Sequence, residues 1–272
     1  HATPSVPTPE PPEPPGLPAY AELHCLSNFS FQRGASHPHE LVERAYDLGC
    51  TALAITDECS VAGVVRAYEA LKEHLDTLHP SQQHPFRLLF GSEFRFERFR
   101  LVAIAHDLEG WGNLCEFITA ARNTTAPKGE YRVDWEKSEV ASLRRCEILF
   151  VPERVPGGMP EPDPLCADLR EAARLFGEHL WLAAELRNEL DDDLWLCTLH
   201  EAGERAGVPL VAAGDVHMHV RSRKPLQDVI TAVREGRTVA ECGFALQSNA
   251  ERHLRSRLRL ANLYPAELLA NT

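Results

Sequence analysis

Short apolar runs recur along the chain and alternate, over most of its length, with amphipathic helical patterns. Apolar residues spaced by three and four positions predict helices, as at Leu41, Ala45 and Leu48 before Gly49. Strands that alternate with helices indicate an α/β fold on a mostly parallel sheet, either a barrel or an open sheet. The runs that predict strands are AYAEL, TALAIT, RLLFG, RLVAIA, EILFV, HLWLAAEL and PLVAA.

One connection departs from this alternation. Between Glu93 and Leu101 there are too few residues for a helical crossover, so the sequence FRFERF predicts a hairpin and an irregular sheet at that point. The strand that follows would then run in the opposite direction. His106, at its end, therefore carries little weight in any site prediction.

The two ends of the chain differ from its middle. Proline at every second or third position predicts a disordered lead over residues 1–18. The main domain is predicted over residues 19–222, and a helical extension over residues 223–272. The first helix of this extension ends at Gly236, and its apolar positions are Pro225, Leu226, Val229, Ile230 and Val233.

Composition narrows the class of protein. A chain of 272 residues with 44% hydrophobic residues can bury a large core, as one large domain or two small ones. The net charge of −12 argues against a general nucleic-acid binder, which needs a basic face. Its eight cysteines include no C-x-x-C pair and are typical of buried thiols in a reducing compartment. No apolar run could cross a membrane and no signal peptide is present, so we expect a cytoplasmic location.

The candidate chemistry begins at the stretch LVAAGDVHMHV. Asp215 and His217 follow a buried strand and stand two residues apart, so an extended backbone points both side chains the same way. Such a pair can offer an oxygen and a nitrogen to one cation. The alternative for an isolated D-x-H is a capping aspartate beside a surface histidine.

The other predicted strands also end at titratable residues. Since the carboxyl ends of parallel strands converge on one face, these ends predict a common site. Such a site would suit a divalent cation such as Mn, Zn or Fe, although strands also end at polar residues simply because they reach the surface. The candidate metal ligands are His24, Asp57, Glu93, Asp215 and His217.

Four motifs carry a resemblance to a known family. LHCLSNFS from Leu23, AITDE from Ala54, GSE from Gly91 and GDVH from Gly214 resemble the successive motifs of the PHP (polymerase and histidinol phosphatase) domain. GWGNL and AVREGRTVAECGFALQSNAERHLRS resemble the amino-terminal part of bacterial C-family replicative polymerases. ITDECSVAGVVRAYEAL and AAGDVHMHVRSRKPLQDV are most similar to their error-prone branch.

The resemblance implies a distorted seven-stranded (β/α)7 PHP barrel that holds up to three metals and, in some members, hydrolyses phosphoesters. Leu26 stands where the family has a second histidine, Glu58 replaces the histidine of T-D-H, and no ligand histidine occurs around Glu185 to Glu189. The resemblance therefore implies a remnant site, joined by Glu58, that binds a divalent metal (Zn, Mn or Mg) weakly or not at all. We expect the remnant groups to bond one another. Glu58 adds a second carboxylate beside Asp57, which a nearby arginine or histidine could neutralise, and His24 and His217 are the candidates.

The resemblance also implies a function. The parent protein would be an error-prone DNA polymerase, a nucleotidyltransferase acting in translesion synthesis and damage-induced mutagenesis. Its partners would be the polymerase domains of the same chain, DNA, a sliding clamp and accessory mutagenesis factors, and no membrane. The domain itself would be a structural remnant, and the alternative is an active metal-dependent phosphoesterase or proofreading exonuclease.

A basic segment near the end of the chain predicts one further contact. Arg252, Arg255, Arg257 and Arg259 gather there with Glu251 alone opposing them. Such a cluster could meet DNA phosphate or an acidic neighbouring domain. The alternative is a solvated helix face.

Overall fold

The computed structural model describes residues 16–123, 127, 129–136, 139–154 and 162–272. Most of the lead predicted to be disordered, residues 1–15, lies outside the described residues.

The strands form one seven-stranded sheet in which spatial order follows chain order. All seven predicted strands are confirmed. They are β1 (Ala21–Cys25), β2 (Ala52–Ile55), β3 (Arg87–Arg95), β4 (Phe99–Ala105), β5 (Cys146–Pro152), β6 (Leu180–Ala184) and β7 (Leu210–Ala212).

One strand runs against the others. β1, β2 and β3 pair in parallel, β4 is antiparallel to both β3 and β5, and β5, β6 and β7 are again parallel. The predicted hairpin is confirmed, with Arg95 opposite Arg100 beside its turn. Reversal of β4 brings its first residues to the edge where the neighbouring strands end.

The two edge strands approach each other where they end. Beyond β7, Val216 donates its N–H to the carbonyl of His24 at 2.9 Å and accepts from Leu26 N–H at 2.8 Å. The sheet is therefore curled toward closure, which confirms the predicted distorted barrel.

Helices connect most of the strands and cover the outer side of the sheet. The described helices are α1 (Pro38–Asp47), α2 (Val64–Thr77), α3 (Leu108–Arg122), α4 (Pro162–Phe176), α5 (Asp192–Ala206), α6 (Lys224–Glu235), α7 (Arg257–Leu263) and α8 (Ala266–Ala270). The helices predicted around Leu41 and before Gly236 are confirmed as α1 and α6, whereas the apolar pattern did not identify α3. No described helix is long and apolar enough to cross a lipid bilayer.

The apolar core is divided by the sheet. Alternate residues of β4 show this, because Leu101 and Ala103 pack into the large cluster that includes the helices, while Val102 and Ile104 pack into a small cluster built by the strands. We call the latter the inner cluster. Its buried members are Ala54, Val102, Ile104, Leu149, Val151, Ala183, Val211 and Ala213. Arg100 has the same parity as Val102, and this places it on the inner side of the sheet.

Candidate functional site

Charged side chains gather where the inner cluster meets the carboxyl ends of the strands. His24 lies on β1 and Glu93 on β3, while Glu185 follows β6 and Asp215 follows β7. Arg100 reaches the same place from the beginning of the antiparallel β4. All five residues are buried, so their charges must be compensated by one another.

His24 bridges two of the carboxylates. Its Nδ1 lies 2.7 Å from Glu185 Oε1 and its Nε2 lies 2.9 Å from Glu93 Oε2. Burial by itself lowers the pKa of this imidazole, but the charge of Asp215 and the hydrogen bonds to Glu185 and Glu93 raise the pKa of His24 to about 9. At neutral pH, His24 is therefore a cation and donates a hydrogen bond from each ring nitrogen.

Asp215 is placed by an unusual backbone turn. Its φ of 45° lies in the left-handed region, which aspartate tolerates better than most residues. The preceding Gly214 passes so close to Glu22 that a Cβ there would lie 2.2 Å from Glu22 Oε2. The turn directs Asp215 Oδ1 to within 3.0 Å of His217 Nε2. Burial lowers the pKa of His217 to about 4 in spite of that carboxylate, so His217 is neutral at pH 7.

Four arginines fill the space around these carboxylates. Arg100 lies 2.9 Å from Glu93, 3.0 Å from Glu185 and 3.3 Å from Asp215. Three guanidinium groups therefore converge on Asp215 Oδ2, because Arg187 and Arg252 lie 2.9 and 3.1 Å from the same atom. Arg33 pairs with the remaining oxygen of Glu93.

These cations keep the carboxylates ionised. Burial raises the pKa of Glu93, but the opposing charges of Arg33 and Arg100 hold it well below its usual range. The pKa of Asp215 is likewise raised by burial and then held well below its usual range by Arg252 and Arg100. The site is thus a network of alternating charges, in which each buried carboxylate contacts at least one guanidinium.

Asp57 and Glu58 have different partners from those expected. Asp57 accepts hydrogen bonds from the backbone and hydroxyl of Ser27 and from the hydroxyl of Ser30. Glu58 pairs with Arg33 at 2.6 Å and accepts from the hydroxyl of Tyr131 at 2.9 Å. A nearby arginine thus neutralises Glu58, which is one of the two residue types expected. The named candidates His24 and His217 are wrong, because these histidines contact Glu93, Glu185 and Asp215 instead.

Of the predicted ligands, four form a chain of contacts in which His24 contacts Glu93 and Asp215, and Asp215 contacts His217. Asp57 belongs to the neighbouring serine loop. Among the described residues, the group whose ligand atoms come closest is His24, Glu185 and Asp215, all within 4.8 Å of one another. Glu185 was not among the predicted ligands, although it follows an apolar strand as they do. The sequence also contains a feature that could have identified Arg100 as a site residue, because it is the one charged residue in the otherwise apolar run of β4 after Phe99.

The prediction of a basic surface near the end of the chain is wrong for two of its four arginines. Arg252 turns inward to Asp215, and Arg255 is buried and donates to the carbonyl of Leu186 at 2.9 Å. Arg259 pairs with Glu251, the residue that was predicted to oppose the cluster. His106 lies at the opposite end of β4, in agreement with the low weight given to it.

Comparison with known proteins identifies the family of the main domain. Residues 22–148 match the family model of the PHP domain.

Curated relatives extend the similarity over most of the chain. An error-prone DNA polymerase from Azoarcus sp. is 48% identical over 272 aligned residues, covering 93% of this chain and 25% of that protein. The protein of the same name from Methylococcus capsulatus is 50% identical, over 92% of this chain and 22% of its own length. The chain thus spans about a quarter of the length of the curated relatives it matches.

The similarity of this chain to solved structures is weaker. An amidohydrolase from Chromobacterium violaceum is 14% identical with a TM-score of 0.49, over 73% of this chain and 88% of that one. A two-domain protein from Bacteroides vulgatus, containing a predicted PHP-like metal-dependent phosphoesterase, is 14% identical with a TM-score of 0.38, over 93% and 63% of the two chains. Sequence identities and TM-scores this low support no conclusion about function.

Proposed function

Since this chain belongs to the PHP-domain family and is similar to part of the error-prone DNA polymerases, we propose that it is the amino-terminal PHP domain of such a polymerase. The parent enzyme would carry out translesion synthesis during damage-induced mutagenesis, in the cytoplasm. Its partners would be the polymerase domains of the same chain, DNA, a sliding clamp and accessory mutagenesis factors. We further propose that the domain is a structural remnant of a metal-dependent phosphoesterase.

The second proposal rests on one observation: arginine side chains contact the carboxylate oxygens that a metal ion would need as ligands. Arg100 contacts Glu93, Glu185 and Asp215 at 3.3 Å or less, and Arg187 and Arg252 contact Asp215 as well. A divalent cation at the same carboxylates would stand beside these guanidinium groups and be repelled by them. With Leu26 and Glu58 in place of two family histidines, the donor set does not fit a firmly held metal.

The alternative is a working phosphoesterase or proofreading exonuclease. One observation favours it, because His24, Glu185 and Asp215 could supply three ligand atoms to one ion. Hydrolysis would need that ion to activate a water molecule and to bind the substrate oxygens. Metal binding would require His24 to lose its proton and to give up its hydrogen bonds to Glu185 and Glu93.

Metal content and thermal stability separate the two proposals. We expect the purified chain to hold less than one tightly bound metal per molecule and to show no hydrolysis of single-stranded DNA ends with added manganese. His217→Ala should lower the melting temperature, because it removes a hydrogen-bonding partner of buried Asp215, while manganese should hardly raise that of the wild type. Two tightly held metals, or a large manganese-induced rise that His217→Ala abolishes, would favour the phosphoesterase.

A further inference from the structure

A cavity of about 580 Å³ opens above the ionic cluster, and its lining is strongly basic. We call it the arginine cleft and define it by Arg33, Arg95, Arg154, Arg187, Arg234 and Arg252. Two carboxylates, Glu189 and Asp191, share this lining with the six arginines, whereas Glu93, Glu185 and Asp215 lie beneath it.

The arginines of the cleft differ in how fully nearby carboxylates neutralise them. Arg154 is neutralised, because it pairs with Asp191 and Asp192 at 2.5 and 2.6 Å. On the floor of the cleft, Arg187 and Arg252 share the same oxygen of Asp215. Arg95 and Arg234 extend from the rim with exposed side chains, and Arg234 lies 3.3 Å from the carboxylate of the adjacent Glu235. Six arginines and two carboxylates line the cavity, so the surface that faces it is basic in a chain that is acidic as a whole, although carboxylates outside the lining pair with most of these arginines.

The cleft also contains polar atoms with unused hydrogen-bonding capacity. Among the described residues that line the cleft, Arg187 Nε, Gln227 Oε1 and Gln247 Oε1 are buried and have no hydrogen-bond partner. Such atoms are costly when they stay unpaired, at about 1–3 kcal/mol each. A bound polar ligand would satisfy them.

An aromatic ring stands at the rim of the same cavity. Phe244 is 95% exposed in the short turn Gly243–Ala245, and its ring is among the groups that line the cleft. An exposed phenylalanine beside arginines is the combination that binds single-stranded nucleic acid, because the bases stack on the ring while the guanidinium groups hold the phosphates.

We propose that the arginine cleft binds a nucleoside phosphate without a metal, with the phosphate on Arg95, Arg187 and Arg234 and the base on Phe244. The nucleotide is either free or part of a single strand, and the size of the cavity suits one to two nucleotides. This site does not depend on the proposed function, since the cleft arginines are present whether or not a metal binds below them.

Binding of a labelled thymidine decamer with a 5′-phosphate, measured by fluorescence anisotropy in EDTA, tests the proposal. We expect Phe244→Ala to weaken binding about tenfold, the loss expected for one stacked base. Arg95→Gln with Arg234→Gln should weaken it to a similar extent and reduce its dependence on salt. The matched controls are Phe31→Ala, which removes another exposed ring, and Arg66→Gln, which removes an arginine outside the cleft; both should bind as the wild type does.

Competition distinguishes the two sources of the nucleotide. Displacement of the decamer by thymidine monophosphate, and less well by inorganic phosphate, would identify a mononucleotide site. Displacement by unlabelled decamer but not by the monophosphate would identify a strand-binding site. Absence of binding in EDTA, or equal binding by the cleft variants and the controls, would overturn the proposal. Metal content, measured separately, tests the proposed function and is unaffected by either result.

Discussion

At the scale of single residues, Arg100 contacts more of the buried carboxylates than Arg33, Arg187 or Arg252 does. It contacts three buried carboxylates, and its own side chain is buried on the inner side of the sheet. Removal of one member of a buried ionic cluster leaves an uncompensated charge, which costs more than the pair contributed. Arg100 therefore acts as an internal counter-ion for these three carboxylates.

We therefore predict that Arg100→Met lowers the free energy of unfolding by about 3–5 kcal/mol, because Glu93, Glu185 and Asp215 lose their shared cation. Urea denaturation measures this loss. The same variant should gain affinity for manganese, detected by calorimetry and as a partial recovery of stability that EDTA reverses.

The control is Arg66→Met, which breaks an exposed pair with Glu69 on α2. It should change the free energy of unfolding by no more than about 1 kcal/mol. If Arg100→Met were as stable as this control, Arg100 would not be the counter-ion of the cluster.

At the scale of structural elements, the loop that follows β1 organises one side of the site. Ser27 and Ser30 hold the carboxylate of Asp57, and Arg33 reaches Glu58 and Glu93. The loop folds back tightly at Gly34, where a Cβ would lie 2.0 Å from the carbonyl oxygen of Ser27. Glycine is required at this position because the backbone itself leaves no room for a side chain.

Gly34→Ala should accordingly lower the free energy of unfolding by about 1–3 kcal/mol, because the added methyl group forces the loop away from Asp57. Gly112→Ala is the matched control, since a Cβ at that exposed position on α3 meets nothing within 4 Å. Alanine is the better helix former by about 1 kcal/mol, so the control should be slightly stabilised. Thermal denaturation of both variants measures the contrast, and equal melting temperatures would contradict it.

At the scale of the whole molecule, the last segment of the chain ties the strand ends together. The hydroxyl of Tyr264 donates to the carbonyl of Ala213 at 2.9 Å and accepts from the N–H of Leu186 at 3.0 Å. These two residues follow β7 and β6, close to the acidic side chains of Asp215 and Glu185. The extension predicted after residue 222 is thus part of the scaffold that positions the cluster.

Tyr264→Phe should lower the free energy of unfolding by about 1–3 kcal/mol, since it leaves a buried N–H and a buried carbonyl without their partner. Tyr68→Phe, at an exposed position on α2, should have almost no effect. Chemical denaturation provides the measurement. A Tyr264→Phe variant as stable as the control would show that the extension is not needed to hold the strand ends.

The sequence by itself determined the strands, most of the helices, the hairpin and the polar residues at the strand ends. These depend on local patterns, because apolar periodicity and the minimum length of a crossover can be read directly from neighbouring residues. Only the tertiary structure decided what the polar residues contact. Arg33, Arg100, Arg187 and Arg252 come from four separate parts of the chain. Their convergence on one buried cluster of carboxylates depends on how the sheet curls and on the reversed direction of β4. Charge compensation in a buried site is a long-range requirement, and no local pattern specifies which distant arginine will meet it.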